Sequence, residues 1–180
     1  EPREPALFAG AIDEYARQVA ANARGACLLA VCRGRVAEGM DLRDDMARCV
    51  VVVGLPFPNV QDARMRVRRQ FPDGANGGLS GNAWYNLQAY KAVNQAVGRV
   101  IRHRRDHGAV ILADERFLDA APHLCLWMRG FLRGYRRFGE FMNQLTEFFR
   151  TIALADLADD LFDTCAPAAP PPSHVAAAAA

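Results

Sequence analysis

The chain has 180 residues, of which 51% are hydrophobic, and its 22 basic and 20 acidic residues give a formal net charge of +2. This length suits one domain with a buried core, and the near-neutral charge excludes a protein that is basic throughout. The apolar runs are strand-sized and bounded by Gly, Pro or Arg, so we expect no membrane-spanning segment and no membrane partner.

Helical and strand patterns alternate along the chain. Amphipathic spacing predicts helices over 6–23, 60–70, 82–101 and 138–149, and a loop rich in Gly, Asn and Pro over 71–81. Apolar runs predict buried strands over 26–32, 50–53 and 109–113, and the four consecutive valines of the second run favour a central position. Strands that alternate with helices predict an α/β fold with a parallel sheet flanked by helices.

Composition divides the chain into a domain over 1–150, an acidic helical extension over 151–164 and a disordered Ala/Pro-rich tail over 165–180. The five cysteines are scattered without a C-x-x-C pair, at Cys27, Cys32, Cys49, Cys125 and Cys165. This pattern is typical of small buried apolar residues, and it predicts no disulfide and no metal site in this segment.

Two arginines and a glutamine share one face of the predicted helix over 82–101. Gln95, Arg99 and Arg102 are four and three residues apart, which makes them neighbours on a helix. Arginine donates bidentately and stays charged, and Gly98 leaves room for a ligand to approach closely. The pattern favours binding of a phosphate chain; the alternative is the solvated basic face of an ordinary amphipathic helix.

A second segment, Ala-Val-Cys-Arg-Gly-Arg-Val-Ala-Glu-Gly-Met-Asp over 30–41, follows the first predicted strand. Its glycines would let backbone amides approach a ligand at the carboxyl end of that strand, where open α/β sheets bind ligands. A strand-to-helix turn that binds nothing is the alternative. Further arginines cluster over 64–69 and 129–137, where they suit DNA phosphates or form a solvated face.

Both segments resemble motifs of the XPD-like iron-sulfur DNA helicases, and they occur in the family's order. Residues 32–42, the motif V segment, resemble C-R-G-K-x-S-E-G-I-D-F, and residues 95–102, the motif VI segment, resemble Q-x-x-G-R-x-x-R. Stretches at 1–5, 54–58 and 114–117 extend the resemblance, which fades beyond about residue 150. Within the family, the wording at 94–104 is most similar to the telomere-elongation-regulator and Fanconi anaemia group J subfamilies.

The resemblance implies the second RecA-like lobe of a helicase, truncated at its N-terminus. Its first lobe would supply the phosphate-binding loop, most contacts to ATP and Mg²⁺, and the cysteines of a 4Fe-4S cluster. By motif position, the implied catalytic residues are Arg99 and Arg102, the nucleotide-binding residues Gln95, Gly39 and Asp41, and the DNA-binding residues Arg33 and Gly34. The motif V segment departs from the family at Arg35, Ala37 and Leu42, where Lys, Ser and Phe are usual.

The function implied by the resemblance is ATP-dependent 5′–3′ DNA unwinding in the nucleus, in repair or telomere maintenance. The implied partners are DNA and the first lobe of the same chain. Because the segment contains no G-x-x-x-x-G-K-[ST] loop, we expect it to be inactive by itself. The alternative is a non-catalytic nucleic-acid or protein-binding module derived from a helicase lobe.

Overall fold

The structure, a computed structural model, describes residues 2–22, 24–40, 42, 44–70, 79–101, 106–162 and 175–179. Its helices are α1 (Pro5–Ala21), α2 (Arg35–Gly39), α3 (Ala63–Gln70), α4 (Gly81–Val97), α5 (Leu126–Arg129) and α6 (Phe138–Phe162). Its strands are β1 (Cys49–Val53), β2 (Gly108–Ala113), β3 (Leu132–Gly134) and β4 (Val175–Ala179). The chain folds as two compact units, one of residues 1–48 and 55–99, the other of residues 49–54 and 100–180.

The second unit is built on a parallel sheet in the order β1-β2-β4-β3. Cys49 pairs with Ala109 and Val53 with Ala113, so β1 and β2 lie in register along their length. Val110 and Leu112 of β2 are buried, as expected for the strand predicted over 109–113. The predicted α/β fold with a parallel sheet flanked by helices is confirmed.

The prediction that residues 50–53 form a fully buried central strand is wrong, because β1 lies at an edge of the described sheet. Val52 is 2% exposed, whereas Val51 and Val53 are 54% and 80% exposed. Successive side chains of a strand point to opposite faces, and only one face of β1 is covered. A run of β-branched residues therefore identified the strand correctly but not its burial.

The strand predicted over 26–32 is absent, since residues 25–31 have no regular secondary structure and Leu29 is 87% exposed. An apolar run indicates a tendency to be buried, whereas a strand also needs the backbone hydrogen bonds of a neighbouring strand.

The predicted disorder of residues 165–180 is wrong at Val175–Ala179, which forms β4 between β2 and β3. Val175 pairs with Gly108, and Ala177 pairs with Leu132. The Ala/Pro-rich composition offers little apolar surface to bury, which is why it predicted disorder. β4 is held instead by backbone hydrogen bonds to its two neighbouring strands. Residues 163–174 lie outside the described residues.

Helix α6 follows the amphipathic pattern predicted over 138–149 and continues to Phe162, through most of the predicted helical extension. In the part of α6 whose side chains are described, residues 138–155, Phe141 and Ile152 are buried. None of the described helices combines the length and the apolar character that crossing a bilayer requires.

The cysteines are less buried than predicted. Cys27 and Cys49 are exposed, and Cys32 and Cys125 are partly buried, all four as free thiols. Cys27 lies in the exposed segment that was expected to be a strand, and Cys49 lies on the edge strand β1, which explains their exposure. Cys165 lies outside the described residues.

In the first unit, α1 begins at Pro5 and ends at Ala21, with Asn22 as its C-cap, close to the predicted bounds of 6–23. Its apolar face packs against a small core of buried residues from the motif V segment and the turn that follows, namely Val36, Leu42 and Ala47. The Tyr15 hydroxyl donates to the Met46 carbonyl at 2.7 Å and so ties α1 to that turn.

Helices α3 and α4 also lie in the first unit. The side chains of Asn59 and Asp62 each accept a hydrogen bond from the backbone amide two residues later, which forms a turn before α3. The helix therefore begins at Ala63, later than predicted. The predicted loop over 71–81 falls mostly on residues outside the described part. Ser80 then caps α4 by accepting a hydrogen bond from the Ala83 amide at 3.2 Å.

The helix predicted over 82–101 ends at Val97, with Gly98 as its C-cap. One face of α4 is buried, through Gly81, Ala89, Ala92, Val93 and Val97. Arg99 therefore lies in the turn after the helix, not on the helical face that its spacing predicted.

Gly81 allows α3 and α4 to approach closely. A Cβ at Gly81 would lie 1.8 Å from the Arg69 carbonyl oxygen, which no backbone contact tolerates. We expect Gly81→Ala to push α3 away and to lower the free energy of unfolding by roughly 1–3 kcal/mol. Urea denaturation measures this change.

Gly10→Ala is the matched control, because Gly10 lies within α1 and a Cβ there meets nothing within 4 Å. It should leave stability unchanged or raise it by up to about 1 kcal/mol. Equal destabilisation by both substitutions would show that the α3–α4 contact does not depend on Gly81.

Candidate nucleotide and nucleic-acid site

The motif V segment turns sharply between an extended stretch and α2. Arg33 adopts a left-handed conformation with φ 69°, and the Gly34 amide donates to the Val31 carbonyl at 2.9 Å. Such a conformation costs a non-glycine residue roughly 1–2 kcal/mol. Gly34 is the N-cap of α2, so this turn sets where the helix begins.

The Arg33 side chain is anchored to the backbone of the same unit. Its guanidinium donates to the Gln88 carbonyl of α4 at 2.5 Å and to the Pro56 carbonyl at 3.4 Å. The first bond is short and charge-assisted, and it joins the motif V segment to the helix that leads into motif VI. Arg33 is nevertheless exposed, and a guanidinium has five N–H donors, so some remain for a phosphate.

Arg99 joins the two motif segments at their other end. Its Nη1 donates to the Met40 carbonyl at 2.9 Å and its Nε to the Ala37 carbonyl at 3.2 Å. Carbonyl groups in the last turn of a helix lack partners within that helix, and a cation near them is favourable. The Arg99 guanidinium therefore caps the C-terminal end of α2.

Two of the remaining predicted site residues lie on α4 and α2. Gln95 is exposed on α4, one turn before Arg99, and Gly39 is the exposed last residue of α2. Arg102 and Asp41 lie outside the described residues. The structure thus brings Arg99 to the motif V segment, while the individual roles of these residues stay predictions.

The departures from the family pattern have structural uses here. Arg35 donates to the Pro2 and Arg3 carbonyls at 2.7 and 2.8 Å, and its guanidinium lies 4.4 Å from the Phe8 ring centroid. A planar guanidinium can stack flat on a ring while its N–H groups bind carbonyls, whereas a lysine ammonium is a compact point charge without a planar face. Nothing in the sequence pattern pointed to this role, because the acceptors are backbone atoms.

Ala37 is buried, and it contacts Arg99 through its carbonyl, which is independent of the side chain at that position. Leu42 is buried in the small core beside α1.

Burial raises the pKa of the Cys32 thiol, an effect that the neighbouring Arg33 partly opposes. Cys32 is therefore a protonated thiol at neutral pH and a poor nucleophile.

In the second unit, a backbone hydrogen bond joins the carboxyl ends of β1 and β2, and a side-chain pair follows β2. Gly54 follows β1 with φ 74°, and its amide donates to the Ala113 carbonyl at 3.2 Å. Asp114 follows β2 and accepts from the Arg116 amide at 3.0 Å and from its Nε and Nη2 at 2.8 and 2.6 Å. The Arg116 side chain and amide lower the pKa of Asp114 to about 2.

Tyr85, near the start of α4, is a packing residue. Its ring stacks on Phe57 at a centroid distance of 5.2 Å, and its hydroxyl donates to the Pro58 carbonyl at 2.7 Å. Within the described ranges, no three His, Cys, Asp or Glu side chains are grouped so that they could hold a metal ion.

Residues 6–130 match the family model described as a helicase C-terminal domain. The chain belongs to this family. It is 47% identical to regulator of telomere elongation helicase 1 from Homo sapiens over 160 residues, which are 83% of this chain and 13% of that protein. It is 42% identical to the homolog from Anopheles gambiae over 176 residues, which are 92% of this chain and 18% of that protein.

The resemblance to the XPD-like helicases is therefore confirmed, and so is the likeness to the telomere-elongation-regulator subfamily. The chain spans less than a fifth of the length of these relatives, at 13% and 18%. In this helicase C-terminal domain, Arg99 joins motif VI to motif V, and Arg33 joins motif V to α4, within one compact unit.

The Arg99 cap can be tested by hydrogen exchange on the 180-residue chain. Arg99→Ala removes the donors to the Ala37 and Met40 carbonyls, so we expect the amides of α2 to exchange roughly tenfold faster. Mass spectrometry of peptides that cover 35–40 measures this rate. Gln95→Ala, an exposed position on α4, should leave the rate unchanged, and equal rates in both variants would contradict the cap.

The Asp114–Arg116 pair predicts a defined pH dependence of stability. Because the folded-state pKa of Asp114 is lowered from 3.8 to about 2, its contribution is fully present above about pH 4 and is lost as the pH falls towards 2. A double-mutant cycle with Asp114→Asn and Arg116→Ala, measured by urea denaturation, should give a favourable coupling at about pH 5 that disappears near pH 2. A coupling that did not change with pH would contradict the ion pair.

Proposed function

We propose that this chain is the C-terminal lobe of an ATP-dependent DNA helicase that moves 5′ to 3′ and acts in the nucleus, in DNA repair or telomere maintenance. The observation that carries the proposal is the Arg99 cap, because it joins the motif VI segment to the motif V segment in one unit. Relatives named as telomere elongation helicases, at 42–47% identity, support it.

In this proposal, Arg99 and Arg102 act on the phosphates of ATP, while Gln95, Gly39 and Asp41 contact the rest of the nucleotide. An arginine that stabilises the charge on a transferred phosphoryl group raises the rate by about 10³–10⁵-fold. ATP and Mg²⁺ would be bound mainly by the first lobe. The first lobe would also hold the 4Fe-4S cluster; among the described residues of this chain, no three His, Cys, Asp or Glu side chains are grouped to hold a metal.

The DNA side of the mechanism uses the anchored turn at Arg33 and Gly34. The remaining guanidinium donors of Arg33 would hold a DNA phosphate, while its bond to the Gln88 carbonyl keeps the turn attached to α4. Arg99 attaches the other end of the motif V segment to the residues that follow α4. Movement of the motif VI arginines during the ATP cycle would therefore move the DNA contact as well.

The proposal is tested on the full-length protein that contains this chain. We expect ATP hydrolysis stimulated by single-stranded DNA, and we expect Arg102→Ala to abolish that turnover while leaving DNA binding mostly intact, because the arginine acts on the transferred phosphoryl group. A coupled ATPase assay measures turnover, and fluorescence anisotropy measures DNA binding.

Arg17→Ala is the control, since Arg17 is exposed on α1 and pairs only locally with Glu14. It should leave turnover unchanged. Full turnover in Arg102→Ala would contradict the catalytic role, and a folded, DNA-binding protein without any turnover would favour the non-catalytic binding module instead.

A further inference from the structure

A groove of about 370 Å³ lies between α3 and α4 in the first unit. Its lining combines two arginines, two amides, an aromatic ring and two apolar side chains, from Val60, Met65, Arg66, Arg69, Gln70, Asn82 and Tyr85. None of these described lining residues is acidic and two are arginines, so the part of the groove wall that the structure describes is positively charged. It is separate from the residues proposed above to contact ATP and DNA.

One wall of the groove is held rigidly. The Arg69 guanidinium lies 5.1 Å from the Tyr85 ring centroid, and its Nε donates to the Asn82 Oδ1 at 2.8 Å. Gly81 lets the backbone at Arg69 approach α4 closely, and this keeps α3 in place. A pre-ordered guanidinium loses less conformational entropy when it binds a ligand than a free one does.

The other charge of the groove comes from Arg66, which lies three residues before Arg69 and on the same side of α3. Arg64 and Arg68 belong to the same exposed helix but do not line the groove. The helix therefore carries two arginines that line the groove and two of equal charge that do not.

We infer that this groove binds the phosphodiester backbone of a single-stranded nucleic acid. Two guanidiniums with planar donor sets match phosphate oxygens, the Gln70 and Asn82 amides can donate further hydrogen bonds, and Val60 and Met65 offer an apolar surface for sugar or base edges. The choice of a nucleic acid as the ligand rests on the proposed helicase function, since an acidic peptide would also suit the charge.

The test uses the 180-residue chain and a fluorescein-labelled oligothymidylate, without ATP, and measures anisotropy over a series of salt concentrations. We expect Arg66→Ala to weaken binding roughly three- to tenfold and to reduce the salt slope by about 0.7, the value for one phosphate contact on a single strand. Arg68→Ala removes the same charge outside the groove and should weaken binding less than about twofold.

Equal weakening by Arg66→Ala and Arg68→Ala would show a diffuse basic surface and overturn the inference. Displacement of the oligothymidylate by poly-glutamate at equal charge concentration would assign the groove to an acidic peptide and also overturn it. Because the assay contains no ATP, its failure leaves the Arg102→Ala result intact, and loss of turnover in the full-length protein does not decide what the groove binds.

Discussion

The candidate site depends on the two hydrogen bonds from the Arg99 guanidinium to the backbone at the end of α2. They use acceptors that α2 cannot satisfy internally, and they hold the motif V segment beside the turn that follows α4. Arg33 provides a second attachment, to the Gln88 carbonyl. These two side chains hold together segments that are distant in the sequence.

Both contacts were out of reach of sequence reasoning for the same physical reason. The spacing of Gln95, Arg99 and Arg102 predicts which side chains share a helical face. No sequence pattern marks the backbone carbonyl that such a side chain binds. The early end of α4 at Gly98 also moved Arg99 from the helix into a turn. The motifs single out Arg33 and Arg99, whereas the backbone carbonyls that these side chains bind are seen only in the folded structure.

The fold was predictable where the apolar pattern of an element matched its packing. The apolar spacing of α1 and the buried run of β2 gave both elements nearly at their observed bounds. The failures at residues 26–32 and at β4 have a common cause, because strand formation depends on a neighbour's backbone and hydrophobicity alone does not supply it. The lining of the α3–α4 groove could not be predicted from the sequence, because it comes from two helices whose relative position the sequence does not give.

The edge position of β1 has a consequence for handling the protein. Val51 and Val53 expose apolar side chains on a strand whose outer backbone groups face away from the rest of the described sheet. Exposed, uncharged, β-branched edge strands can pair with strands of other molecules. A charged residue at Val53 is therefore expected to reduce aggregation of this chain through β1.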